Sequence, residues 1–182
     1  MTEDLADLII HLARQAQNTS QTGLTAAQWT ALRYFARANG FSRTPSAFSE
    51  FHATTRGTAS QTVKSLVAMG LLRHVAHGSD ARRKVIEVTP AGQDMLQHDP
   101  LGDLRAVLKS LPDAQYSALS KAVPQLLAAL AERRDAPVFG TCGDCQHCEI
   151  TPSTSYCHCT QSWLAASDMA ALCIDFRPAR IG

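Results

Sequence analysis

Between Arg43 and Gly92 the chain changes periodicity twice, and this constrains its fold more than any other feature. "RTPSAFSEFHA" offers Thr44 then Pro45, a capping residue followed by the residue best tolerated in a first helical turn. "TTRGTASQTVKSLVAMGLL" repeats the start signal with Thr55 and puts Val63, Leu66, Val67 and Gly70 on the side that would meet a core. Two short helices with a short connection predict a helix-turn-helix. Then the pattern becomes extended, from about Leu72 to Ala76 and from Lys84 to Thr89, around the polar tip "HGSDAR". β-Branched residues flanking a Gly-Ser-Asp turn predict a hairpin. Thr89-Pro90 restarts a helix by the same cap-then-proline device.

Helices flank this unit. "DLADLIIHLAR" carries Leu5, Leu8, Ile9 and Leu12 at helical spacing. "GLTAAQWTALRYFARANG" predicts a second helix, with Thr25 as cap and Gly40 after the end. Trp29, Tyr34 and Phe35, with His11 before them, could line a pocket, but aromatic residues at helical spacing are read as core. After a pause near Asp99-Pro100, "LGDLRAVLKSL" resumes helix. Pro112 opens a segment to about Arg134, striped by Leu119, Val123, Leu126, Leu127 and Leu130, with Pro124 expected to kink it. The first helix and the 101–132 stretch have more apolar positions than a monomer's edge helices need.

The formal net charge of +1 hides a gradient. Residues 51–90 hold Arg56, Lys64, Arg73, Arg82, Arg83 and Lys84 against Asp80 and Glu87 alone. A basic block on a helix-turn-helix is where an electrostatic footprint on DNA belongs. No apolar run is long enough for a membrane span, and the N-terminus lacks the pattern of a secretory signal. A cytosolic protein is expected. No flavin or nicotinamide motif occurs, which counts against a redox carrier; a regulator without enzymatic activity is expected.

The stretch "TTRGTASQTVKSLVAMGLLRHVAHGSDARRKVIEVTPAGQDML" resembles the MarR family of regulators. The resemblance rests on Gly70-Leu71 at the end of the second short helix, on Asp80, Arg82 and Arg83 in the hairpin, and on Thr89, Pro90 and Gly92 opening the next helix. It spans about residues 5–132. It implies a mainly α chain with a small β-hairpin wing, an α+β winged helix-turn-helix set between dimerising helices. Residues 1–134 form this unit, and residues 135–182 form a cysteine-rich tail outside the family pattern. The partners implied are double-stranded DNA with a pseudo-palindromic operator, and a second copy of the chain.

A recognition helix enters the major groove by its N-terminal part. Here that part offers Arg56, Thr58, Ser60, Gln61 and Lys64. Arg pairs bidentately with guanine and Gln with adenine, while Lys64, one turn on, suits phosphate. From the wing, Arg82 and Arg83 would reach the minor groove or flanking phosphate, with Asp80 bracing Arg82.

The first 141 residues contain no cysteine; the tail contains Cys142, Cys145, Cys148, Cys157, Cys159 and Cys173. Such clustering points to metal or redox chemistry. The expected ligands are Cys142, Cys145, Cys157 and Cys173, because those four close the tail from end to end, with Cys148 and Cys159 as alternates. Ser167-Asp168 would cap a short helix ending at Cys173. The spacing is similar to that of high-potential iron–sulfur proteins. An iron–sulfur cluster of the four-iron type is preferred, since six thiols exceed the needs of one ion. Zinc as a structural staple is the alternative. His147 and His158 would sit behind an all-thiolate shell. The rival reading of the whole chain is a small iron–sulfur electron carrier on a helical scaffold.

Overall fold

The computed structural model describes residues 4–17, 23–77, 80–151 and 154–178, the side chains of 77 and 80–84 excepted. Seven helices are described: α1 Leu5–Ala16, α2 Ala26–Arg37, α3 Pro45–Phe51, α4 Arg56–Ala68, α5 Pro90–Leu96, α6 Leu101–Lys109 and α7 Asp113–Arg133. Between α4 and α5 lies an antiparallel hairpin, β1 Leu72–His77 and β2 Asp80–Val88. The winged helix-turn-helix is present in the expected order. β2 begins at Asp80 rather than near Lys84, so the hairpin reaches further than its β-branched residues indicate. The proposed brace between Asp80 and Arg82 falls on side chains outside the described set.

The threonine starts are all seen. Thr25, Thr44, Thr55 and Thr89 adopt extended backbone, and each hydroxyl accepts an N–H from the first turn of its helix. At Thr25 the partner glutamine closes a full capping box. The core lies where α2, α3, α4 and the wing converge. Trp29, Leu32, Tyr34, Phe35, Phe48, Val63, Leu66, Leu72 and Ile86 are fully buried there, so the aromatic residues of α2 are core as expected.

A tight joint ties α4 to the wing and to α5. Gly70 has φ +72, a left-handed conformation that suits glycine at a helix end. The Leu71 N–H then bonds back to the Leu66 carbonyl at 2.9 Å. Gly70 is thus an exposed helix terminator, not a core-facing position of α4. Thr89 donates its hydroxyl to the Gly70 carbonyl at 2.6 Å, and its N–H to the Leu71 carbonyl at 3.1 Å. A Cβ on Gly92 would stand 2.3 Å from that Leu71 oxygen, so only glycine lets α5 approach this closely. The Gly-Leu and Thr-Pro-x-Gly motifs are the two halves of one joint.

α6 is fixed to α2 by a carboxylate. Asp99, whose side chain is 4% exposed, pairs with Arg33 and Arg105, each at 2.7 Å, and accepts the Leu101 N–H at 3.0 Å. Burial alone would raise its pKa, but the Leu101 N–H and the two guanidiniums outweigh burial and hold it below the usual carboxylate range. A folded-state pKa below the unfolded one gives stability that is present above about pH 4 and lost as the pH falls through the folded value. Asp99→Asn is expected to cost roughly 3 kcal/mol at neutral pH, because it leaves Arg33 without its charge partner. Urea unfolding of both proteins at neutral and acid pH should show the difference shrinking in acid.

Candidate nucleic-acid interface and thiol cluster

Two sides of α4 differ in character. Ala59, Val63 and Leu66 face the core. Gly57, Gln61 and Lys64 lie on the opposite side and are exposed, with Arg56 and Thr58 exposed at the N-terminus. Ser60 is half-buried. The Thr58 hydroxyl is engaged at 2.9 Å with that of Thr55, and its N–H and carbonyl bond Thr55 and Thr62, so its methyl is the part left for a ligand. Before this helix, Ala53 takes φ +49 in the turn from α3, a left-handed residue that the sequence does not signal.

In the wing, Arg73 lies directly across from Glu87 and pairs with it at 2.9 Å, which neutralises one charge of the basic block. Arg82 and Arg83 stand on β2 near the tip by backbone position. A cleft of about 440 Å³ runs along α2, lined by Arg33, Arg37, Arg105 and Asp99, with Leu172 of the tail at one wall.

The tail is built of short strands. β3 Gly140–Thr141 pairs with β7 Leu172–Cys173, while β4 Cys148–Ile150, β5 Ser155–Cys157 and β6 Ser162–Leu164 form a three-stranded antiparallel sheet. The expected helix ending at Cys173 is absent: one 3-10 turn, Ala166–Asp168, precedes a strand. Asp168 does act as a local brace, accepting the Ala165 N–H at 3.0 Å. The reason for the strand is tertiary. Leu172 and Cys173 find ladder partners in Gly140 and Thr141 and a further bridge to Ala38. Gly140 is required there, since a Cβ would meet the ring of buried Phe176 at 2.5 Å.

Cys142, Cys145 and Cys148 follow one another round successive turns, closed by the Cys145 N–H on the Cys142 carbonyl at 3.3 Å and the Cys148 N–H on the Cys145 carbonyl at 3.0 Å. Cys148 lies directly across from Cys157 in the β4–β5 pair. Cys142, Cys157 and Cys173 are buried, Cys145 and Cys148 half-buried, and Cys159 exposed. Burial pushes the Cys142 thiol up to about 12, helped by charge repulsion from Cys173, Cys148, Cys157 and Cys145. Burial also raises Cys148 and Cys173, with other cysteines adding to the rise. The four expected ligands and Cys148 therefore share one electrostatic neighbourhood, with Cys159 at its rim. Among the described residues no three His, Cys, Asp or Glu side chains are gathered closely enough to hold a single ion. His158 is turned to Glu149 at 2.9 Å and stacks edge-on to Tyr156, on the face of the sheet that also carries Trp163.

Sequence reasoning missed Asn39 and Ser42, which join the tail to the head. Ile174 donates to the Ser42 hydroxyl at 2.9 Å across 132 positions of sequence, a distance that no local pattern spans.

Residues 22–83 match the model of the MarR family. Solved structures share the fold at low identity. A MarR transcriptional regulator from Methanosarcina mazei is 18% identical, covers 70% of this chain and 96% of its own, and superposes with a TM-score of 0.56. The transcriptional regulator SlyA gives 18% identity, 72% and 97% coverage and a TM-score of 0.56. A DNA complex of S. aureus MepR gives 16%, 69% and 98%, and 0.54. No curated protein matches the sequence. The chain therefore has the winged-helix fold of MarR structures, and the segment holding its helix-turn-helix is MarR-like in sequence as well.

The thiol geometry generates a prediction. The His158 N–H bonds the His147 carbonyl and the Thr151 N–H bonds the Thr154 carbonyl, each at 2.9 Å. Narrow and wide pairs alternate in an antiparallel ladder, so Cys148 and Cys157 form a non-hydrogen-bonded pair, where Cα atoms are about 4.5 Å apart. That lies within disulfide range. Mild diamide oxidation of the metal-free chain is expected to link Cys148 to Cys157 first, as peptide mapping would show.

Proposed function

We propose that the chain is a homodimeric transcription regulator that binds double-stranded DNA through its winged helix, and that its tail holds a metal centre making this binding responsive to redox or metal state. One observation carries the DNA reading. The exposed polar end of α4 stands on a rigid joint, inside the segment that matches the MarR family. The similar fold of MepR, solved as a DNA complex, supports the same reading. Arg56, Gln61 and Lys64 then face the major groove with Thr58 and Ser60 beside them, and Arg82 and Arg83 come from the wing. The electron-carrier alternative leaves this arrangement without a purpose.

The dimer reading is supported by uncovered apolar faces. Neither α1 nor α7 has a buried residue, and Leu5, Ile10, Leu126 and Leu127 are all more than half exposed. Faces of this extent seek a partner, and a second copy would bury both. Two recognition helices would then read half-sites of a pseudo-palindrome about one helical turn apart.

Cys142, Cys145, Cys157 and Cys173 are the proposed ligands, with Cys148 and Cys159 as alternates. Burial, with neighbouring thiols adding to it, holds the Cys142 and Cys173 thiols up, and a bound metal would supply the positive charge that lets them ionise. Thiolates around one zinc stand about 3.8 Å apart, given its bond lengths. An iron–sulfur cluster of the four-iron type is the preferred occupant, because six thiols exceed what one ion needs. The alternative is a zinc staple without a sensing role.

Gln61→Ala should relax preference at one base position, costing about 1–3 kcal/mol on the preferred site. Arg82→Ala should weaken binding to all sequences and lower the salt slope by about one; gel shifts over a salt series with operator and scrambled DNA distinguish the two. Val123→Glu with Leu127→Glu should yield a folded monomer in sedimentation analysis. Protein purified without oxygen should be brown, lose its colour in air, and fail to assemble the centre when any of the four ligands is serine. A colourless protein with one zinc per chain would decide for the staple.

A further inference from the structure

The bend between α2 and α3 contains two buried polar residues, Asn39 at 3% exposure and Ser42 at 0%. Buried polar groups need partners; the Ser42 N–H bonds the Asn39 Oδ1 at 2.9 Å within the bend, and the tail supplies the others. The Asn39 N–H bonds the Leu172 carbonyl at 2.9 Å, and the Ile174 N–H bonds the Ser42 hydroxyl at 2.9 Å. These two bonds flank Cys173 on either side along the chain, and the Asn39 side chain hydrogen-bonds Cys173 itself. The bend in turn positions the reading elements. Arg43 accepts the Ile86 N–H of the wing at 2.8 Å, and Thr44 caps α3.

We propose that β7 is a latch that passes the state of the thiol cluster to the helix-turn-helix through Asn39 and Ser42. The proposal rests on the reading of the tail as a responsive centre and of the head as a DNA binder. Cys173 is 5% exposed and held within a strand of two residues, so its sulfur has no flexible spacer. When Cys173 is drawn toward Cys142 and Cys157 by a cation, or loses that pull when a two-electron thiol oxidant takes the hydrogens of Cys148 and Cys157 and joins them as a disulfide, both flanking bonds shift. The bend from which α3 and the wing leave moves with them. Coupling of this kind needs a contiguous element that both sites bias, and β7 is that element.

The test is hydrogen–deuterium exchange on the reduced full-length chain, alone, with equimolar zinc(II), and after diamide treatment. Zinc is expected to slow exchange at Asn39 and Ile174 about tenfold, and diamide to speed it. Affinity for the DNA upstream of the protein's own gene should change about fivefold between the two states. Ser42→Ala removes the acceptor for Ile174 and leaves every thiol in place. It should bind zinc with wild-type stoichiometry but lose the DNA response. If Ser42→Ala does not fold, Asn39→Ala, which keeps the main-chain bond to Leu172 but removes the amide that meets Cys173, is expected to weaken the coupling. Exchange at the bend that responds to neither zinc nor diamide would overturn the latch, as would a full DNA response in a folded uncoupling variant. Exchange that responds while no DNA is bound would sustain the latch and overturn the DNA reading instead.

Discussion

The contact of Gly92 with the Leu71 carbonyl sets the geometry on which the rest of the head depends. It lets α5 close over the end of α4, while Thr89 bonds both Gly70 and Leu71 and turns the wing back toward the same point. Recognition helix, wing and the helix leading to the apolar α7 thus share one backbone anchor. A side chain at Gly92 would separate them, because the atom it would strike is main chain and cannot rotate away. The exposed Gln61 and Lys64 have a defined direction only because of this joint.

The tail uses the head as its foundation. Its longest strands have three residues, too short to enclose a core of their own. Instead Leu172, Ile174 and Phe139 pack against the head's core, and Phe139 sets its ring edge-on to Tyr34 and Phe51. Division at residue 134 is therefore clear in composition but not in packing. The same contacts that give the tail its shape reach the bend before α3.

Much of the head was legible because its signals are local. A threonine followed by a proline, or by a small helix-forming run, dictates a helix start within one turn, and all four such threonines act as caps. The heptad-like spacing in α1 and α7 marked them as helices with an unburied face. The tail was less legible. "WLAASDMAALC" has helix-forming composition, yet Leu172 and Cys173 become a strand because they pair with Gly140 and Thr141 and the Asn39 N–H bonds the Leu172 carbonyl. Propensity was overruled by ladder hydrogen bonds from partners far away in the chain.

By itself the sequence determined the order of helices and hairpin, the glycines at the α4–α5 joint, the polar face of α4 and the number of thiols. Each follows from residues within a turn or two of one another. Tertiary structure alone decided that Cys148 faces Cys157, that Arg73 is neutralised by Glu87, and that Asp99 clamps Arg33 and Arg105. It also decided that Asn39 and Ser42 receive the strand bearing Cys173. These pairings join residues whose separation in the chain carries no periodic signal. They exist because buried polar groups and strand edges take whatever partner the packed chain brings within reach.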